Sequence, residues 1–248
     1  MKRIISSEWI KMRTIRTTWW FAAFAIVVPL LTSSLYAAFA SEIDPETLYR
    51  ALTAASIVTF MLLGVLGASS YSAEHAFNTI RPTFSVTPKR GRVVVGKAVV
   101  VAALALLVQT IVVVGGLEIA NLIAAGRDLD LDLGGLDGLV PAATGLVLFG
   151  ALFALFGLGI ALIVRSTPAA IAVLVLWPLL IESVIEGLLS LVSADTVAQW
   201  LPYDAGTTVF ELQPDGDPFG RVVGGLVFAA FVLLVIAAGS ALTARRDA

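Results

Sequence analysis

The chain has 248 residues, of which 58% are hydrophobic and only 14% are charged, and its formal net charge at pH 7 is −2. This composition excludes an ordinary water-soluble domain and predicts an integral membrane protein. The absence of cysteine and the presence of one histidine, His75, exclude disulfides and thiolate metal sites and argue against a metal centre.

Apolar runs without charged residues predict the membrane spans. A segment inside the bilayer must satisfy its own backbone hydrogen bonds, so each run of about 20 residues is expected to be an α-helix. The first run is long enough to be a retained helix rather than a signal peptide. The fifth run continues past Glu182 and Glu186 to about residue 191. We therefore predict an all-α polytopic protein with one membrane domain over 1–248 and six spans, at 17–41, 51–73, 98–117, 138–164, 166–191 and 222–244.

The ionisable residues between the spans separate by sign. Nearly all lysines and arginines fall on one side: Lys2, Arg3, Lys11, Arg13, Arg16, Arg81, Lys89, Arg90, Arg92, Lys97, Arg165, Arg245 and Arg246. The opposite loops carry most of the aspartates and glutamates, with only Arg50, Arg127 and Arg221 among them. The positive-inside rule therefore predicts that both termini are cytoplasmic.

Residues 2–17 predict an amphipathic elbow helix in the headgroup layer. Ile5, Trp9 and Met12 share one face, which Glu8 interrupts. Trp19 and Trp20 follow as interfacial anchors, with Trp9 as a third. The alternative is that the basic residues of this segment only set the topology.

The inner loop, residues 72–92, contains Pro82, Pro88 and Gly91. We expect a helix to end near Asn78 and a second, short helix to begin at Thr87 and Pro88, because a threonine N-cap followed by proline is a helix start signal. Such a loop would form a compact ledge for contact with a partner. The alternative is an ordinary basic loop held on anionic lipid.

Gly91, Gly96 and Lys97 imitate the spacing of a phosphate-binding P-loop. That motif requires serine or threonine after the lysine, to bind magnesium, and a strand before the loop. Ala98 follows here, and a membrane span comes next. The sequence therefore predicts no ATP site in this chain.

Glu182 and Glu186 are four residues apart on one helical face, near the outer end of the fifth span. Charges inside a span are functional or shielded. One alternative is that both carboxylates are hydrated at the outer mouth and bind nothing. The other is that they form part of a pathway or bind a cation.

The outer loop, 193–221, contains Trp200, Tyr203 and Phe210. We expect a re-entrant segment between spans five and six whose aromatic rings lie at headgroup level, with a simple surface loop as the alternative.

Three segments carry a resemblance to a known family: SEWIKMRTIRTTWW, AEHAFNTIRPTFSVTPKRGRVVVGK and QWLPYDAG. Over nearly its full length the chain resembles the membrane subunits of type-2 ABC exporters, and its opening segment and composition are similar to actinobacterial members. The resemblance implies a permease of the bacterial plasma membrane that pairs with a second permease copy or a homologous permease. It also implies docking on separate ATPase subunits, which would bind ATP and magnesium.

By the same resemblance, this chain has no catalytic residue and no cofactor of its own, and its partners are proteins and membrane lipid rather than nucleic acid. Asn78 stands where the family usually has glycine. The residues expected to couple the loop to the ATPase are Glu74, Thr79, Arg81, Pro88 and Arg90.

Two other classes of function are alternatives to an exporter permease. A secondary transporter or channel using Glu182 and Glu186 is the alternative, although inverted repeats and broken midplane helices are not visible in the sequence. An intramembrane hydrolase would require histidine inside the spans, whereas His75 lies outside them.

Overall fold

The computed structural model describes residues 1–76, 90–192, 195–213 and 220–246. Within these ranges the protein is all-α, and six helices are long and apolar enough to cross a membrane, which confirms the predicted fold class.

The first half of the chain contains the elbow and three spans. The elbow α1 (Lys2–Thr14) ends three residues earlier than predicted, because Ile15 adopts an extended backbone conformation. The spans are α2 (Arg16–Phe39), α3 (Pro45–Ala76) and α4 (Arg90–Gly126). The carboxylate of Asp44 caps α3 by accepting a hydrogen bond from the backbone N–H of Thr47 at 2.9 Å.

The second half contains the other three spans and a short helical hairpin. The fourth span is α5 (Leu139–Val164). The fifth is α6 (Thr167–Leu176), a π-helical turn (Trp177–Ile181) and α7 (Glu182–Leu191). The hairpin comprises α8 (Asp195–Ala198), α9 (Pro202–Thr207) and a 3-10 turn (Thr208–Phe210). The sixth span is α10 (Gly220–Arg246).

Helix α5 is the centre of the bundle. It packs against α3, α4 and α10, and 67% of its most hydrophobic stretch is buried, against 17% for the span Thr167–Leu191. A side chain at Gly157 would collide with the backbone of Gly64, so small residues allow α3 and α5 to approach closely. The fifth span therefore leaves most of its apolar surface uncovered by the chain itself.

The predicted re-entrant segment packs into this bundle. Phe149 of α5 contacts the rings of Tyr203 and Phe210, with ring centroids 5.7 and 5.1 Å apart, and the ring of Phe228 in α10 at 4.9 Å. Tyr203 and Phe210 are half-buried against the aromatic core, and the expectation that these rings lie at headgroup level remains a prediction. Trp200 is 51% exposed.

Candidate functional site

Four charged side chains meet at the basic end of the bundle. The Nζ of Lys97 lies 2.7 Å from Glu8 Oε2 and 2.7 Å from Glu74 Oε1. The Nζ of Lys11 lies 2.7 Å from Glu8 Oε1 and 2.8 Å from Glu74 Oε1. Two cations and two carboxylates thus form a closed ionic tetrad that joins α1, α3 and α4.

The tetrad is largely removed from solvent. Glu8 is 4% exposed, Glu74 8% and Lys97 2%, and the Lys97 ammonium also donates to the backbone carbonyl of Ser70 at 2.8 Å. All three N–H groups of Lys97 therefore have acceptors. A buried charge that loses its partner lowers the stability of the fold strongly. Removing any one member of the tetrad should therefore destabilise the arrangement of the others.

Lys11 is the most exposed member of the tetrad, with 41% of its side chain accessible. Burial lowers the pKa of the Lys11 ammonium, but hydrogen bonds to the carboxylates of Glu74 and Glu8 outweigh burial and raise this pKa above its ordinary value of 10.5. Lys11 therefore stays charged throughout the physiological range.

The end of α3 makes further polar contacts with the neighbouring spans. Ser72 Oγ lies 2.6 Å from Thr167 Oγ1 at the start of α6, and Tyr71 Oη lies 3.2 Å from Thr243 Oγ1 in α10. With the tetrad, the last two turns of α3 are linked to α1, α4, α6 and α10. This end of α3 is the polar hub of the bundle. The first residues of the predicted inner loop, 72–76, are thus helical, and residues 77–89 follow directly after them.

Close packing of α1 on α4 depends on Gly96. A Cβ atom at this position would lie 2.7 Å from Cγ2 of Ile4, so a larger residue would push the elbow away from α4. Trp19 secures the other end of the elbow, because its indole N–H donates to the backbone carbonyl of Arg13 at 2.9 Å.

Only two of the five predicted coupling residues, Glu74 and Arg90, lie within the described part of the chain. Glu74 is buried in the tetrad, facing the elbow and α4. Arg90 is the first residue of α4. Thr79, Arg81 and Pro88 lie outside the described residues, as do Asn78 and the predicted helix start at Thr87. Residues 90–126 form one continuous helix.

The P-loop resemblance has a structural explanation. Gly91, Gly96 and Lys97 all lie within α4, and the Lys97 ammonium is occupied by protein acceptors. This arrangement differs from a P-loop, in which a loop before the helix surrounds the phosphates. No cluster of metal-ligating side chains occurs within the described ranges.

Glu182 is buried and hydrogen-bonded. Its carboxylate accepts from the indole N–H of Trp177 at 2.6 Å and from the backbone N–H groups of Tyr203 at 2.9 Å and Asp204 at 3.0 Å. These two N–H groups are at the start of α9, so Glu182 caps α9 from a different helix. Its side chain is not hydrated at the outer mouth, contrary to one of the two sequence interpretations.

The π-helical turn places this carboxylate. Pro178 lacks an N–H donor and therefore disfavours a regular α-helix at this point. The backbone N–H of Glu182 instead bonds to the carbonyl of Trp177, five residues earlier, which is the π-helical pattern. Glu186, by contrast, is exposed. The structure therefore puts Glu182 and Glu186 in different environments, and a pathway role for either remains a prediction.

The predicted anchors have exposed rings: Trp9 is 38% exposed, Trp19 50% and Trp20 56%. Their interfacial role remains a prediction. The buried side of α1 is instead centred on Glu8 and Met12.

Three residues of the site were missed by sequence reasoning: Glu8, Lys11 and Lys97. A usable signal was present, because Glu8 and Glu74 are the only acidic residues at the basic end among those described. Isolated acids among many cations, and a lysine inside an apolar run, indicate buried pairing.

A cavity of about 780 Å³ adjoins the tetrad. It is lined by residues of α1, α2, α3, α4 and α6, including all four members of the tetrad. The basic end of the bundle therefore combines a rigid ionic junction with an internal space.

Comparison with known proteins finds no family model that matches the chain and no significant match among curated proteins.

Proposed function

We propose that this chain is the transmembrane subunit of an ATP-driven exporter, which forms the translocation pathway and couples to a separate nucleotide-binding subunit. The observation that supports this proposal best is the polar hub, because it ties the elbow and three other spans to the end of α3, after which residues 77–89 lead to α4.

The physical argument concerns how force passes from the loop into the membrane. Residues 77–89 connect α3 to α4, and the tetrad joins the ends of both helices to α1. A push on the loop would then move α1, α3 and α4 together. Glu74 contributes to coupling by holding this block, while Thr79, Arg81, Pro88 and Arg90 contact the ATPase.

The proposed assembly contains two permease subunits, with both termini and the basic end in the cytoplasm. The apolar surface of Thr167–Leu191 supports a second permease copy or a homologous permease as partner, because only 17% of the most apolar stretch of this span is buried within its own chain. ATP and magnesium belong to the ATPase subunits, and the cargo is amphipathic or hydrophobic.

A secondary transporter or channel using Glu182 and Glu186 receives less support. The Glu182 carboxylate is engaged by three N–H groups, and protonating it would weaken the cap of α9. No described contact links it to Glu186.

The test is to purify the chain alone and together with candidate ABC ATPase subunits from the same genome. The chain alone should hydrolyse no ATP, and the pair should form a detergent-stable complex. Arg81→Glu should weaken assembly, whereas Arg245→Glu, at the exposed end of α10, should not. ATP hydrolysis by the chain alone, or normal assembly of Arg81→Glu, would reject the proposal.

A further inference from the structure

The cavity at the basic end has the lining expected for an amphipathic ligand. Its apolar wall is formed by Met12, Phe21, Val65, Leu66, Val100 and Ile171. Its polar part consists of the tetrad and the hydroxyl groups of Thr14, Thr17, Thr18, Ser69, Ser70 and Thr167. A volume of about 780 Å³ is within the range of small-molecule sites.

The cavity opens at the junction between the elbow and α2. Among its lining residues, Thr14, Ile15 and Thr17 are exposed and lie at this junction, while Met12 and Leu66 are buried. Trp19 is two residues further on and half-exposed. If the elbow lies in the headgroup layer, the mouth is at the depth of lipid headgroups and the apolar wall extends towards the acyl chains.

The electrostatics of the mouth favour an anion. Arg13 and Arg16 are exposed and alternate in sequence with the mouth residues Thr14, Ile15 and Thr17. Both carboxylates that line the cavity, Glu8 and Glu74, are paired with Lys11 and Lys97. The tetrad is neutral as a whole. Arg13 and Arg16 do not line the cavity, but as exposed neighbours of the mouth residues they give its surroundings a net positive charge.

Lys11 offers a direct contact for such an anion. Its ammonium has three N–H groups, of which two are directed to Glu8 and Glu74, and it lines the cavity while 41% of its side chain is accessible. A phosphate or carboxylate headgroup at the mouth could accept the remaining hydrogen bond, together with one from the exposed hydroxyl of Thr17.

We propose that this cavity binds one alkyl chain of an anionic amphipath, with the chain against Phe21, Val65 and Ile171 and the headgroup at Lys11, where the nearby Arg13 and Arg16 attract it electrostatically. This inference goes beyond the exporter proposal and requires no ATPase, so binding and coupling can fail separately.

The experiment uses the full-length chain in phosphatidylcholine nanodiscs and a dodecyl phosphate probe with a photoactivatable group at the chain terminus. Cross-links should map to the cavity wall. Unlabelled dodecyl phosphate should compete, whereas inorganic phosphate, dodecanol and dodecyltrimethylammonium should compete at least about tenfold more weakly, because each lacks the chain, the anion or the correct sign of charge.

Two matched pairs of variants locate the ligand. Ile171→Trp fills the cavity and should reduce labelling about tenfold, while Ala172→Trp, the exposed neighbour on α6, should not. Arg13→Gln with Arg16→Gln should weaken binding about tenfold, while Lys2→Gln with Arg3→Gln removes the same charge at the far end of α1 and should not. Ser69→Phe provides a second block, on α3, if Ile171→Trp reduces folding.

Phosphatidylglycerol in the nanodisc distinguishes two sources of the ligand. If phosphatidylglycerol reduces cross-linking of the probe, a membrane lipid is a ligand of the cavity. If only unlabelled dodecyl phosphate reduces cross-linking, the ligand is a single-chain compound. Both results support the proposal. Equal competition by the cationic analogue, or unchanged labelling of Ile171→Trp and Ser69→Phe, would overturn it.

Discussion

Glu8 and Lys97 are 89 positions apart in the chain, yet Oε2 of Glu8 accepts a hydrogen bond from Nζ of Lys97 at 2.7 Å. This contact fixes the amphipathic elbow to the start of the third span. Glu74 binds the same ammonium. The elbow α1 therefore shares one ionic junction with α3 and α4, the two helices on either side of residues 77–89.

Replacing Lys97 should destabilise the bundle strongly. Lys97→Met keeps an unbranched apolar side chain without the ammonium group and leaves Glu8 and Glu74 with only Lys11 as a cation. The free energy of unfolding should fall by about 3–5 kcal/mol, the usual effect of unpairing buried charges. Thermal unfolding in detergent measures the effect. Arg92→Met, an exposed cation on the same helix, is the control, and equal stability of the two variants would contradict a buried tetrad.

Packing of the elbow can be tested separately from its charges. Gly96→Val places new atoms against Ile4 and should lift α1 from α4, whereas Gly91→Val meets nothing within 4 Å. Met12, 7% exposed on the buried side of α1, can carry a reporter cysteine because the chain has none. Alkylation of Met12→Cys should be faster with Gly96→Val and unchanged with Gly91→Val. Equal rates would show that α1 is not held by this contact.

The spans were predictable from sequence because hydrocarbon requires continuous hydrogen-bonded helices. The ends of the spans were not predictable, since charged residues beyond the apolar runs remain helical: α3 begins at Pro45 and includes Glu46 and Arg50. The end of the elbow depends on the backbone of Ile15, for which the sequence contains no proline or glycine signal.

The site was less predictable, because its members come from three helices. Glu74 was identified by family resemblance, but as a residue at the loop rather than a buried one. Glu8 was interpreted as an interruption of an apolar face, and Lys97 as a marker of topology. Only tertiary packing shows that the two residues neutralise each other.

Glu182 and Glu186 should differ in their effect on stability. Glu182→Gln replaces a carboxylate that accepts hydrogen bonds from Trp177, Tyr203 and Asp204, and should cost about 2 kcal/mol. Hydrogen exchange of the Tyr203 and Asp204 amides should also become faster. Glu186→Gln changes an exposed side chain and should have little effect. If both variants are equally stable, the cap on α9 contributes nothing measurable.

The orientation predicted by the charge pattern has a direct test. Asp130 and Arg245 are exposed at opposite ends of the bundle. Single cysteines at these positions should react differently with an impermeant thiol reagent in intact cells: Asp130→Cys should be labelled and Arg245→Cys should not. After the cells are lysed, both should react, which controls for accessibility. Labelling of Arg245→Cys in intact cells would show that the predicted orientation in the membrane is wrong.

The tetrad should also give the protein a specific alkaline sensitivity. The carboxylates of Glu8 and Glu74 raise the pKa of Lys11 above 10.5, so the stability that this ion pairing contributes is complete below that pH and is lost as the pH rises through the raised pKa. Lys11→Arg keeps the charge at these pH values, because the guanidinium group titrates only above about pH 12. We expect the melting temperature of the wild type to fall more steeply than that of Lys11→Arg between about pH 10 and pH 12. Comparing the slopes cancels the titration of groups common to both proteins, and parallel curves would show that the Lys11 pairing does not stabilise the fold.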